Sequence, residues 1–549
     1  MTIERRDPRI LCALALVAFG SEPALAQNAP LLIDRSRMDR APVLPAPETM
    51  RPAGLRGRIE MDGVAAPAAP SPFREARIAG SSLPAQVLLD AWRDRVGVPL
   101  DAALVNAIAA RLLAAYQRSD VAFFSIVAPD QDLAAGALDI VVIEGHIADI
   151  EIQSETPTAP DLALARSYAA HLLAERPLRR ATLERTLSLI RDIPGERIEA
   201  RLSPGQDHGA ANLTLAMDRN RADVGVTVSN RGTPLLGRTQ ANADLSLYGL
   251  LHGGDRTDLA VTLPVGEDLF SFVSAGYSTF VGSNGARVAA NISHLTTQPK
   301  GASSEGEATA GGITFSYPIT RSYTRNLSAS LGLDALNTQN AVLGQLADTS
   351  RTRALRASLA YSDANERQSR SLALIGSAGL GELNAYVNPL VGEESFAKLS
   401  VQGAWSRLLM PQLALRLRFQ GQTTADILPA SELFALGGDE FGRAYPSAII
   451  QGDDAIAGAL ETAFLAGALL PPLLAGSEAY VFLDGGSVWL HDRPLLPGAD
   501  FDLSSIGAGV RIGYRNLAVA TLELAGGLDE PYPGAEADWR LVYRIEGRR

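Results

Sequence analysis

Side chains able to do covalent or metal chemistry are few and scattered in this sequence. The six histidines, His146, His171, His208, His252, His294 and His491, form no H-E-x-x-H helix, and with Cys12 as the only cysteine they form no Cys/His zinc spacing. No metal site is expected. A Gly-Lys phosphate loop is excluded because Lys300 follows Pro299, Lys398 follows Ala397, and there is no other lysine. No G-x-S-x-G turn offers a nucleophilic serine. The glycines of Gly376-Ser377-Ala378-Gly379-Leu380-Gly381 lie among alternating strands rather than at a strand-to-helix turn. The chain therefore reads as a protein that is not an enzyme and needs no cofactor. What remains is charge: Arg443 in a glycine-rich segment, and Asp484 in the run Tyr480-Val481-Phe482-Leu483-Asp484. There Ala479, Val481 and Leu483 share one face, which turns Tyr480, Phe482 and Asp484 to the other. A bidentate guanidinium would satisfy that carboxylate away from water. The same residues also allow a solvated Arg443 and an Asp484 that is one charge among many.

The elements around these residues follow from composition. The 549 residues are 46% hydrophobic, 20% charged and 6% aromatic, enough to bury a core or span a membrane. With 49 basic against 61 acidic residues the net charge is -12, which argues against nucleic acid as a partner. The 50 glycines and 32 prolines suit many strands and turns. Arg5, Arg6 and Arg9 precede the apolar run Ile10 to Phe19 and then Ala24-Leu25-Ala26, which reads as a signal peptide over residues 1–26. Ten apolar residues are too few to span a bilayer. The window Ala455 to Gly476 contains Glu461 and Pro471-Pro472, so it reads as a strand, Leu460 to Leu470, and a turn rather than a membrane helix.

Residues 27–72 hold a short Arg/Asp-rich segment, Leu31 to Arg40, followed by a proline-dense linker. From Phe73 the pattern becomes strand (Phe73 to Ile78), helix (Leu83 to Val96), helix (Leu104 to Arg118) and two strands (Ala122 to Ala128, Ala137 to Glu144). The same order recurs with Ile147 to Gln153, Leu162 to Leu173, Leu183 to Arg191, Arg197 to Ser203 and Ala211 to Met217, which implies a duplicated module over 73–146 and 147–218. After Asp218 only period-two alternation is left. Leu413/Leu415/Leu417/Phe419 oppose Arg416 and Arg418, and Leu355/Ala357/Leu359/Tyr361 oppose Arg356 and Ser358. Residues 219–549 are too many for one sandwich. At roughly 20 residues per membrane strand and connection they predict about 16 strands in a closed transmembrane barrel, apolar outside and arginine-rich inside.

Several segments together resemble a known family. Ala128-Pro129-Asp130-Gln131-Asp132-Leu133 and Gly136 to Gly145 look like the end of a first polypeptide-transport-associated (POTRA) domain. Leu183-Glu184-Arg185 and Asp192-Ile193-Pro194-Gly195 look like a second. Glu432 to Gly438, Gly442-Arg443-Ala444-Tyr445 and Gly452-Asp453 resemble a long extracellular loop that folds back into a barrel, with glycine and alanine in place of the valine and glycine of the usual Val-Arg-Gly-Tyr/Phe tetrad. Tyr480 to Gly486 and Ser504 to Arg511 resemble two of that barrel's strands. The last strand departs from the usual terminal aromatic, running through Tyr543 to Glu546-Gly547-Arg548-Arg549, so that recognition by the insertion machinery would use Tyr543 internally.

This combination resembles the outer-membrane transporters of two-partner secretion, the TpsB-like haemolysin secretion/activation family. The resemblance implies α+β POTRA domains followed by an all-β barrel of sixteen antiparallel strands, in the outer membrane of a Gram-negative bacterium with the POTRA domains in the periplasm. It implies a functional loop with Gly437, Gly438, Gly442, Arg443 and Tyr445, a lumen partner Asp484, and a plug helix at Leu31 to Arg40. It also implies a secreted TpsA-like exoprotein as client, with barrel-assembly machinery, periplasmic chaperones and membrane lipid as further partners. An unfolded client would add to a sheet edge, for which the strand Phe123 to Val127, with Phe123, Ser125 and Val127, is the candidate. The rival readings are a barrel-insertase of the same superfamily, for which 73–218 leaves room for only two such domains, and a passive porin, which would have no use for them.

Overall fold

The computed structural model describes residues 58–60, 71–154, 160–301, 303–342, 345–494, 496–515, 517–532 and 538–549. The expected signal peptide, the Leu31 to Arg40 helix and most of the 27–72 linker lie outside them.

The first module contains strands β1 (Arg58–Glu60) and β2 (Glu75–Ala79), helices α1 (Ala85–Asp90) and α2 (Ala102–Arg118), and strands β3 (Phe124–Val127) and β4 (Ala137–Glu144). Helix α2 starts where the Asp101 carboxylate accepts the Leu104 N–H at 2.8 Å. Its Leu104, Ile108, Leu112 and Tyr116, spaced four apart, are buried against Ile126, Leu138 and Ile140. The helix expected over Leu83 to Val96 is shorter, because α1 has no side-chain cap and no buried residue to hold it. Trp92 leaves the helix to pack edge-on against Phe73 at 5.9 Å, and a 3₁₀ turn follows at Arg93–Arg95.

The sheet order is β1-β3-β4-β2, with β1 parallel to β3. Arg58 stands opposite Ser125 and Glu60 opposite Val127. The β3 edge expected to be open is thus covered by the chain's own upstream segment. An unpaired row of N–H and C=O groups accepts any extended chain nearby, and a tethered one has the higher effective concentration.

The second module repeats the plan with β5 (His146–Ser154), α3 (Pro160–Leu173), α4 (Arg180–Arg191), β6 (Glu196–Pro204) and β7 (Ala210–Arg219), in sheet order β5-β7-β6. The two modules are locked together. Phe123, 5% exposed, enters the core of the second module with Leu178, Leu183 and Ile147. A side chain on Gly145 would stand 2.0 Å from the Phe123 ring, so only glycine lets β4 turn into β5 there.

Sixteen antiparallel strands, from Ala222–Ser229 to Trp539–Arg548, then form a closed barrel, each paired to its neighbour. The sixteenth closes on the first with Arg544 opposite Ser229 and Gly547 opposite Val226. Alternate residues point outward as bare apolar side chains around the whole wall, among them Ile313 at 61%, Leu355, Leu359, Leu417, Ile456 and Leu541. A sandwich would bury that face, whereas a barrel in hydrocarbon exposes it. Tyr543 shares the outward parity of Leu541 and Ile545, and its hydroxyl lies 3.0 Å from Thr239 Oγ1. The twelfth strand runs Asp454–Leu465, earlier than the expected Leu460 to Leu470, and a 3₁₀ turn at Ala466–Leu469 precedes the two prolines, which cannot donate to a ladder.

The second module is seated on the turns at one end of the barrel. Asp192 receives Arg321 through two hydrogen bonds of 2.8 and 2.6 Å. Arg185 donates to the carbonyls of Pro318 at 2.9 Å and Asn284 at 3.0 Å. Asp161 lies 3.2 Å from Arg219 and accepts the Gly254 N–H at 2.5 Å. Tyr323 joins the module's core.

Candidate functional site: the infolded loop and its carboxylates

Residues 425–453 connect the eleventh strand (Leu413–Thr424) to the twelfth (Asp454–Leu465) at the end of the barrel away from the modules. They turn back into the lumen. Phe434–Leu436 pairs with Ile450–Gly452 as a hairpin, and Leu436, Phe441 and Tyr445 pack against Tyr480, Phe482 and Leu503 of the wall. Three glycines shape the hairpin end, with φ of +101° at Gly437, +106° at Gly438 and +76° at Gly442. Gly442 has a second constraint, because a Cβ there would meet the Leu503 side chain at 2.4 Å.

The tip brings Arg443 and Asp484 together. The wall strand Glu478–Leu490 alternates so that Val481 is 57% exposed to the outside while Tyr480 and Asp484, each 3% exposed, face in. Arg443 Nε lies 3.0 Å from Asp484 Oδ2 without hydrogen-bond alignment, not in the bidentate fork that the residue types suggest. The reason is that Asp484 Oδ1 is already engaged: it accepts the N–H groups of Gly442 at 2.8 Å and Arg443 at 3.3 Å and the Ser505 hydroxyl at 2.5 Å. The guanidinium instead stacks 4.0 Å from the Phe482 ring and shares Nη1 between Glu461 at 3.3 Å and Glu523 at 3.1 Å. Tyr445 is anchored separately, its hydroxyl donating to the Asp529 carbonyl at 2.6 Å.

Several members of this network carry no motif. Glu523 also accepts Arg231 at 2.5 Å and the Tyr480 hydroxyl at 2.8 Å, and Arg231 returns to the loop by donating to the Arg443 carbonyl at 2.8 Å. Glu461 and Glu478 are bridged by Arg416 and Arg511 at 2.5 to 2.8 Å. Four guanidinium groups, of Arg231, Arg416, Arg443 and Arg511, thus meet four carboxylates, of Glu461, Glu478, Asp484 and Glu523. The signal for Glu523 in the sequence was its place between two outward leucines, Leu522 and Leu524. Each of these buried groups would be costly alone, and the opposite charges around it offset that cost. No group of three His, Cys, Asp or Glu residues among the described residues is placed to hold a metal ion.

The remaining sequence candidates lie elsewhere. Ser125 and Val127 are on β3, opposite Arg58 and Glu60, and Phe123 is off that edge, buried between the modules.

Residues 211–512 match the family described as haemolysin secretion/activation protein ShlB/FhaC/HecB. Heme/hemopexin transporter protein HuxB of Haemophilus influenzae strain 86-028NP is 25% identical over 231 residues, 40% of each chain, and the same protein from strain ATCC 51907 is 25% identical over 179 residues. The match thus spans less than half the length of these relatives. Among solved structures, CdiB from Escherichia coli superposes with a TM-score of 0.72 at 19% identity, covering 96% of this chain and 98% of that one. CdiB from Acinetobacter baumannii gives 0.64 at 15% identity, covering 99% and 100%. At such identities these likenesses speak for the fold.

Proposed function

The chain belongs to the haemolysin secretion/activation family of outer-membrane transporters, matched over more than half its length, and from that premise we propose that it exports an unfolded exoprotein in two-partner secretion. In this reading residues 73–146 and 147–218 are POTRA domains in the periplasm, and 219–549 are the conduit. A TpsA-like client arrives unfolded with periplasmic chaperones, adds an extended segment to a sheet edge, and leaves through the lumen once the infolded loop yields. The barrel itself enters the membrane through the barrel-assembly machinery. No cofactor takes part, and client folding outside supplies the drive.

The observation that carries this reading is a folded-back loop whose tip is held by ion pairs rather than by packing alone. A passive pore gains nothing from a removable stopper, whereas a conduit for a folding client needs one. The β3 edge refines the capture step. Because β1 already pairs with Ser125 and Val127, the client enters by strand exchange, replacing residues 58–60, and backbone pairing lets it do so with varied side chains. Phe123 serves the joint between the modules and not the client.

The test is co-expression with a TpsA-like exoprotein as the client. Wild type should place that protein in the medium, and Arg443→Ala should abolish secretion while a heat-modifiable barrel persists in the membrane. Normal secretion by Arg443→Ala at equal barrel level would overturn the assignment.

A further inference from the structure

The infolded loop is held by charge at a second place, far from its tip. Glu432, on the limb that descends from the eleventh strand, is buried with its carboxylate between Arg356 and Lys398. Arg356 Nη2 lies 2.8 Å from Oε1 and Nη1 3.2 Å from Oε2, while Lys398 Nζ lies 2.8 Å from Oε2. Arg356 also reaches Asp334 at 2.9 Å and Ser377 at 2.9 Å, and Gln422 donates to the Glu432 carbonyl at 3.1 Å.

These partners come from a different sector of the wall than those of Arg443. Asp334, Arg356 and Lys398 belong to the seventh (Arg325–Val342), eighth (Gln345–Ala364) and tenth (Ala397–Met410) strands. Glu461, Asp484 and Glu523 belong to the twelfth, thirteenth and fifteenth. Lys398 is one of only two lysines in the chain, and its side chain is 1% exposed. The charge of a lysine so deeply placed is met by the Glu432 carboxylate, with the Gln422 side chain and the Glu432 carbonyl as further acceptors.

We propose that Glu432 is a positioning residue: its ion pairs with Arg356 and Lys398 tie the infolded loop to the seventh-to-tenth-strand sector while Arg443 ties it to the twelfth-to-fifteenth, making the loop a strut that must release one sector before a polypeptide can pass. The inference rests on the export reading for its purpose, and its first test needs no client. Glu432→Gln removes the charge that Arg356 and Lys398 share, so the tie weakens although the side chain keeps its shape. In planar bilayers the Glu432→Gln channel should open on the order of tenfold more often than wild type. Glu432→Asp, which changes the length of the side chain but keeps its charge between Arg356 and Lys398, should gate closer to wild type than Glu432→Gln does, which a merely structural loss would not.

A second variant works even if the carboxylate is needed for assembly. Thr352 Oγ1 and Ser431 Oγ lie 3.0 Å apart beside the cluster, so Thr352→Cys with Ser431→Cys should close a disulfide between loop and wall. Oxidised, it should lower the opening frequency and stop secretion, and reductant should restore both. Unchanged gating in Glu432→Gln, or full secretion through the oxidised pair, would overturn the strut. Gating that responds in a protein that never secretes would uphold the strut and remove the export reading instead.

Discussion

Asp484 accepts the backbone N–H of Gly442 at 2.8 Å, so the wall carboxylate holds the loop's main chain and not only the guanidinium next to it. Removing the carboxylate should therefore disturb the tip at least as much as removing Arg443. Asp484→Ala should abolish secretion, whereas Asp484→Asn, which keeps an acceptor oxygen, should retain part of it. Stripping either partner from the buried pair costs about 3–5 kcal/mol. The double change Arg443→Ala/Asp484→Ala should be less severe than the sum of its parts, read as secretion at equal barrel level.

Glu196 begins β6 beside Asp161 and Arg219, where burial first and then the Asp161 charge push its carboxyl up to about 7. A carboxyl raised on folding binds its proton more tightly in the folded state, so its contribution to stability is complete below about pH 4.5 and is lost as pH rises through 7. The second module should thus hold to the barrel more firmly at pH 5.5 than at pH 8. Glu196→Gln should flatten that difference, measured by hydrogen exchange of α3 and β6 in the full protein. A steeper dependence in the Gln variant would show that the Glu196 proton does not stabilise the module.

The Asp192–Arg321 pair joins the second module to the barrel across 129 positions of sequence. Arg321→Ala should leave the barrel heat-modifiable and expose the module to limited proteolysis at lower protease concentration. An unchanged cleavage pattern would mean that Tyr323 and Arg185 hold the joint without it.

Residues 27–45 carry the proposed plug. Their deletion should raise single-channel conductance while secretion continues, since about ten helical residues are not stable without a surrounding lumen. Unchanged conductance would show that this segment does not fill the pore.

Period and composition alone determined a great deal here. The alternation of Leu355, Leu359 and Leu417 against Arg356 and Arg416 required a wall that is apolar on one face, and the length of that region required about sixteen strands, because a pleat has period two and a bilayer a set thickness. The same rule placed Tyr480, Phe482 and Asp484 on the inside, and helical spacing in α2 identified the first module's core. Tertiary structure alone decided who meets whom. Arg231 and Glu523 are 292 positions apart and become neighbours because closure brings the first strand beside the last ones. Alternation says which face a residue takes and nothing about which residue it meets across a lumen. For the same reason Glu432 gave no sign of Lys398, and Ser125 none of Arg58: ion pairs and edge pairings are settled by the distance between side chains or backbones, and that distance exists only once the barrel has closed and the sheet has formed.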